Sequence, residues 1–132
     1  MRLLLDTHVL LWALVTPERL PADARDALED SGNTVYFSAA NIWEIAIKRA
    51  LERPDFTVEP DAARDAALSL GFEELPVTGL HAAQVRHLPP LHRDPFDRLL
   101  VGQAKCEPLL LVTDDAVVAE YGSGIWWLGK PA

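Results

Sequence analysis

At 132 residues the chain has room for one hydrophobic core and not for two, and it can bury about two-thirds of its unfolded surface without disulfides or metal staples. Apolar residues at 49% against 24% charged, with no long polar or low-complexity tract, exclude an intrinsically disordered chain. Twelve basic against twenty acidic side chains leave a formal charge of −8, which excludes broad electrostatic attraction to nucleic acid or anionic lipid. It does not exclude a nucleic-acid enzyme whose acids are neutralised by divalent cations.

A single domain spanning 1–132 is therefore expected. The lone Cys106 cannot close an intrachain disulfide, and its apolar helical setting implies a buried, reduced thiol and a cytoplasmic location. Arg2 followed by Leu3 to Val15 superficially resembles a signal peptide, but Asp6 and His8 interrupt the apolar run. No run is long enough to span a membrane.

In chain order, Leu3-Leu4-Leu5 is a continuous apolar run, as expected of a parallel strand covered on both faces, and Asp6 falls where that strand ends. Thr7 starts a helix through Val9, Leu10, Trp12 and Ala13. Thr16 to Pro21 is a punctuated loop, and Ala22 to Glu29 a short helix closed by Ser31-Gly32-Asn33. Thr34 to Phe37 is β-branched and aromatic, a second strand leading to Ser38 as helix cap. From Ala39 to about Arg53, Trp43, Ile47 and Ala50 form an apolar set, with Ile42, Ile45 and Ala46 adjoining, while Asn41, Glu44, Lys48 and Glu52 form a polar stripe. Asp61 to Leu70 is helical with Gly71 as its stop, and Phe72 to Val77 supplies a short strand. Thr78 caps a helix to about His87, after which the proline-rich loop Leu88 to Asp94 leads into a helix from Pro95 to Glu107. Leu109 to Val112 is a second strongly apolar strand, ending at Thr113-Asp114-Asp115. A short helix from Ala116 to Tyr121, a last strand Ile125 to Leu128 and a brief polar tail complete the chain. Strands alternating with helices imply an α/β fold, a mostly parallel sheet of about five strands with helices on both faces.

Two apolar strands thus end in acid, at Asp6 and at Asp114-Asp115, and neighbouring strands would bring those carboxylates to one sheet edge. Asp97, in the first turn of the preceding helix, lies near the same edge, and Glu44 can reach it from the long helix. Each acid also has a plainer reading. Asp6 and Asp115 can cap helices, Asp97 can complement a helix dipole or pair with Arg93 or Arg98, and Glu44 can pair with Lys48 at i,i+4. Four carboxylates in one pocket would call for an oxygen-preferring cation, Mg²⁺ or Mn²⁺. The four histidines lack a cysteine partner or HExxH spacing, so zinc is not expected, though His8 and His92 can approach the pocket. No G-x-S-x-G elbow and no glycine-rich phosphate loop follows a strand. The four tryptophans are read as core.

Leu3-Leu-Leu-Asp6-Thr-His-Val-Leu-Leu-Trp12, Ser38 to Trp43-Glu44-Ile45, His92-Arg-Asp-Pro-Phe-Asp97-Arg-Leu-Leu and Leu111-Val-Thr113-Asp-Asp115, in this order, resemble the PIN-domain nucleases, particularly VapC-type toxins. The likeness covers nearly the whole chain. It implies a PIN-like α/β/α sandwich that gathers acids around Mg²⁺ or Mn²⁺ and cuts RNA. Carried over by position, the metal-binding and catalytic acids are Asp6, Glu44, Asp97 and Asp115. Asp94 and Asp114 offer alternatives to the last two. Asp97 is preferred for the Leu99-Leu100-Val101 run behind it, and Asp115 for standing two residues after Thr113. Asp94, Thr113 and Ser38 become supporting residues, with Lys48, Arg93 and Arg98 as candidate contacts to the RNA backbone. The resemblance further implies a cognate VapB-type antitoxin and a homodimer, for which Trp12, Phe56 or Trp126 could supply apolar surface.

Two other classes compete. A catalytically silent PIN-like interaction module would be expected to have lost an acid, and none is missing. A receiver-like phosphoacceptor domain would need a lysine at the end of a late strand, where Lys130 stands too near the terminus.

Overall fold

In the computed structural model, which describes residues 1–129, the sheet is built outward from its most apolar strand. Leu3, Leu4 and Leu5 of β1 (Arg2–Leu5) are wholly buried, because helices cover both faces of the sheet at this point. β1 is flanked by β2 (Thr34–Ser38) and β4 (Leu110–Thr113), with β3 (Glu73–Leu75) and β5 (Ile125–Trp127) at the edges. The order is β3-β2-β1-β4-β5 and every pairing is parallel.

The two-residue alternation of a strand sorts the core into two layers. Leu3 and Leu5 pack with Val9 and Leu10 of α1 (Thr7–Val15), Ala27 of α2 (Ala22–Glu29) and Ala67 of α4 (Pro60–Ser69). Leu4 and Leu111 point to the opposite face, against Leu100, Val101 and Ala104 of α6 (Pro95–Cys106) and Val118 of α7 (Ala116–Ala119). α5 (Gly79–Gln84) packs on α6, and α3 (Ala39–Ala50) packs against α1, α4 and α6. The expected α/β/α sandwich with a five-stranded sheet is thus the observed one, and the sheet is parallel throughout.

Boundaries shift where local geometry intervenes. α3 stops at Ala50 rather than near Arg53, since the chain turns left-handed at Glu52 (φ 53°). α5 tightens into a 3₁₀ turn over Val85–His87, and Pro17–Arg19 forms another within the expected loop. Gly71 ends α4's turn at φ 88°, a conformation open to glycine without a Cβ clash. The polar tail and Lys130 lie outside the described residues.

Burial overturns three expectations. On α3 the first half of the polar stripe turns inward beside Ile45: Asn41 is fully buried and Glu44 nearly so, while Glu52 stays outside, Trp43 is 59% exposed and Ile47 is exposed too. An amphipathic period identifies two faces; here the inward one is claimed by a polar network described below. The four tryptophans are not all core, since Trp43 and Trp127 are exposed, whereas Trp12 and Trp126 are half-buried against the core. Cys106 is partly accessible rather than buried.

α5 and α6 approach closely at Gly102, where an added Cβ would stand 3.1 Å from the His81 carbonyl oxygen. Gly102→Ala must displace α5, and is expected to cost about 1–3 kcal/mol. The measurement is urea unfolding, in which the midpoint should fall at unchanged slope.

Candidate metal centre

The chain crosses from β1 to β2 on one side of β1, while β4 arrives on its other side, so a crevice opens at the carboxyl ends of β1 and β4. Leu5 lies opposite Val112, and the Asp6 amide donates to the Val112 carbonyl at 3.0 Å. Asp6 and the residues after Thr113 therefore emerge together.

Asp6 is 5% exposed and does the cap's work as well as facing the crevice. One carboxylate oxygen accepts the Val9 amide at 2.9 Å, capping α1, and the other accepts the Thr113 hydroxyl. Burial pushes its pKa up to about 6, with those two hydrogen bonds opposing the rise. Asp97, in the first turn of α6, is raised to about 7 by burial and by the charge of Asp94; His92 opposes, and Asp6 and Glu44 add to the rise. The charges of Asp6 and Glu44 thus reach Asp97 across the crevice.

Glu44 is held by a buried relay. The Thr7 hydroxyl donates to Glu44 Oε1 at 2.6 Å and itself accepts Asn41 Nδ2 at 2.9 Å, while Asn41 Oδ1 accepts the Ser38 amide at 2.6 Å. The Ser38 hydroxyl accepts the Ala40 amide, completing a capping box at the start of α3. Ser38 therefore acts on Glu44 only through Asn41 and Thr7. Lys48 pairs with Glu44 Oε2 at 2.9 Å, the i,i+4 bridge expected of an ordinary helix, yet both side chains line the crevice.

His92 brings the last two acids together. Its Nε2 lies 3.1 Å from Asp97 Oδ2 and 2.9 Å from Asp115 Oδ2. Its Nδ1 accepts the Asp94 amide at 3.0 Å, which places the proton of the neutral ring on Nε2, as a donor to both carboxylates. Burial opposes the imidazolium form, but the hydrogen bond to Asp115 and the charges of Asp97, Asp115 and Asp94 raise the His92 pKa above its usual value. For Asp115, burial is outweighed by His92 and by the Val117 and Val118 amides that it caps, and its pKa is lowered.

The result is a pocket of about 180 Å³ lined by Asp6, Thr7, His8, Glu44, Lys48, His92, Asp94, Asp97 and Asp115. All four nominated acids reach it. Asp94 reaches it as well, while one of its oxygens caps α6 through the Phe96 amide at 2.8 Å. Asp114 is not among the lining residues; it lies 3.7 Å from His8. Thr113 sits beneath the floor, joining Asp6 to the Asp115 amide. Among the described residues, the three whose ligand atoms lie within 4.8 Å of one another are His92, Asp97 and Asp115. Asp6 and Glu44 face them with their oxygens engaged by hydroxyls, an amide and an ammonium.

Sequence reasoning missed Thr7 and Asn41, although Asn41 three residues after Ser38 has the spacing of a capping box. It offered Arg98 as a contact to the RNA backbone or a partner of Asp97. The Arg98 guanidinium instead donates to the carbonyls of Pro89 and Val85 and to the Tyr121 hydroxyl, which in turn accepts the His92 amide. Arg98 is the clamp of the loop that carries His92, and Asp97 pairs with His92 rather than with an arginine.

A parallel α/β/α sandwich with acids converging at its switch point defines a protein that works at a charged pocket on the sheet's carboxyl edge. A PIN domain family model matches residues 3–123, and the chain belongs to the PIN domain family, whose members are generally nucleases. None of the curated proteins compared with the chain matches it in sequence. Among solved structures, a chain of the VapBC2 complex from Rickettsia felis, bound to a DNA fragment from its promoter, is similar at TM-score 0.71 and 16% identity, covering 99% of this chain and 100% of that one. A chain of FitAcB from Neisseria gonorrhoeae is similar at TM-score 0.56 and 23% identity, covering 90% of this chain and 91% of that one. At these identities the likeness establishes the fold.

The field of the pocket makes stability depend on pH. The folded protein holds Asp97 near 7 against an ordinary value of 3.8, so it takes up a proton that the unfolded chain releases, and cation-free stability falls as pH rises through that window. Asp97→Asn keeps an acceptor for His92 and removes the loss. In chelator-treated protein its melting temperature should exceed that of the unsubstituted chain by a margin that grows between about pH 4 and pH 7 and is constant above. A margin independent of pH would contradict the assignment.

Proposed function

We propose that the chain is a Mg²⁺- or Mn²⁺-dependent endoribonuclease acting as the toxin of a VapBC-type toxin–antitoxin pair, a single domain over 1–132 working in the cytoplasm. The observation that carries this reading is the convergence of Asp6, Glu44, Asp97 and Asp115 on one pocket at the carboxyl edge of the sheet. Membership of the PIN domain family and the structural likeness to chains of VapBC2 and FitAcB support it.

The residues fit a hard divalent cation. Asp6 and Asp97 have pKa values raised by burial, a tension that a bound cation relieves, and Asp115 adds a carboxylate within reach of Asp97. Asp97 and Asp115, faced by Asp6, would hold the ion, and Glu44 would complete the set. When bound, such an ion supplies Lewis acidity and lowers the pKa of a water ligand. The chain's own residues supply the rest. Thr113 fixes the Asp6 carboxylate and His92 holds Asp97 and Asp115 together. Thr7 and Lys48 fix Glu44 in position to orient the attacking water. Hydrolysis in this sense leaves a 5′ phosphate and a 3′ hydroxyl.

A homodimer and a basic antitoxin segment complete the reading, the latter supported by the net charge of −8. No helix among the described residues is long and apolar enough to cross a membrane.

Purified protein freed of any partner should cleave single-stranded RNA with Mg²⁺ or Mn²⁺ and not with chelator. Asp6→Asn and Asp97→Asn should each lower the rate by roughly a hundredfold or more. Failure of the unsubstituted protein to cleave under these conditions sinks the proposal. Light scattering should give twice the 14.6 kDa chain mass at micromolar concentration, and a monomer would remove the dimer from the reading.

A further inference from the structure

Beside the acidic pocket, a second groove of about 430 Å³ runs between the end of α3 and the start of α6. Glu44, Lys48 and Asp94 line both cavities, so the groove is a continuation of the pocket rather than a separate site. Its character is opposite. Lys48, Arg53 and Arg93, three of the chain's twelve basic residues, line it together with the apolar side chains of Ile47, Leu51 and Phe96. Leu51 is 63% exposed.

Lys48 is paired with the groove's own Glu44, but the two arginines are not spent on its acids. Among the described residues neither Arg53 nor Arg93 has a carboxylate within ion-pair distance. Glu44 is engaged by Thr7 and Lys48, and Asp94 caps α6. A polyanion with flat apolar faces suits this mixed lining: phosphates on the arginines and a base on the Phe96 ring, which Trp43 braces edge-on with centroids 5.0 Å apart at 72°. The volume lies in the range of roughly 300–1,000 Å³ typical of small-ligand sites, enough for a nucleotide.

We propose that this groove is the track of a single-stranded nucleic acid leaving the acidic pocket, in which Arg53 and Arg93 hold the phosphates flanking the reacting one and Phe96 stacks a neighbouring base. The inference rests on the nuclease reading above. It explains how a chain of charge −8 holds a polyanion: attraction is confined to a short cationic strip abutting the acids.

The test is binding rather than cleavage. A short fluorescein-labelled single-stranded RNA of mixed sequence is titrated by anisotropy, in Mg²⁺ and at several salt concentrations, against Asp6→Asn protein. Adding Arg53→Gln and Arg93→Gln should weaken binding about tenfold at low salt and flatten the log–log salt dependence by about 1.4, roughly 0.7 for each lost phosphate contact. Adding Phe96→Leu, which keeps the apolar volume, should weaken binding about fivefold with the salt slope unchanged. Lys105→Gln, at the far end of α6, should change neither quantity. Unchanged affinity and slope in the arginine variant would overturn the track while leaving the nuclease reading standing. No RNA binding by the Asp6→Asn protein would overturn the track, whereas the nuclease reading falls only if the unsubstituted protein fails to cleave. A loss of oligomeric mass by light scattering in the arginine or Phe96 variants would reassign the groove to a contact between copies.

Discussion

The structure depends on one constraint, that the central strand is covered on both faces and can carry polarity only where it ends. Leu3, Leu4 and Leu5 are fully buried, and the first side chain free of the two layers is Asp6. Because β4 pairs in register with β1, its own acids emerge at the same edge, and α6 runs so that Asp97 in its first turn returns there. The pocket is therefore a consequence of parallel pairing around a switch point, and no separate device is needed to assemble it.

Assembly of acids at one place is opposed by their charge, and the surrounding residues show how the fold holds them. Asp6 is met by a hydroxyl and an amide, Glu44 by a hydroxyl and an ammonium, and Asp97 and Asp115 share one imidazole N–H. These partners leave a residual tension, expressed in the raised pKa values of Asp6 and Asp97. Residues of the pocket also cap helices, Asp6 at α1, Asp94 at α6 and Asp115 at α7, and Asn41 closes the capping box of α3, so the helix starts and the pocket are one network. Arg98 and Tyr121 extend that network outward by fixing the loop on which His92 rides.

The chain's charge is distributed to match. Its acids dominate overall, yet the groove beside the pocket gathers Lys48, Arg53 and Arg93 against Ile47, Leu51 and Phe96. The exposed face of α3 is apolar because its polar face is claimed by Asn41 and Glu44, which leaves Trp43 and Ile47 outside.

What the amino-acid sequence alone determined is the set of elements and the acids at their ends. Continuous apolar runs, glycine and proline stops and capping residues are local signals, and they place Asp6, Glu44, Asp97 and Asp115 on definite strand ends and helix turns. The plainer readings of these residues and the functional ones turn out to be compatible: Asp6 and Asp115 cap helices and line the pocket, and Glu44 pairs with Lys48 inside it. Only the tertiary structure decided which face of α3 turns inward, because a helical period marks two faces without assigning either to the core. It alone showed the relay Ser38-Asn41-Thr7-Glu44, the bridging role of His92 and the clamp at Arg98. Each draws on residues from elements distant in sequence, and their hydrogen bonds exist only once those elements are packed together.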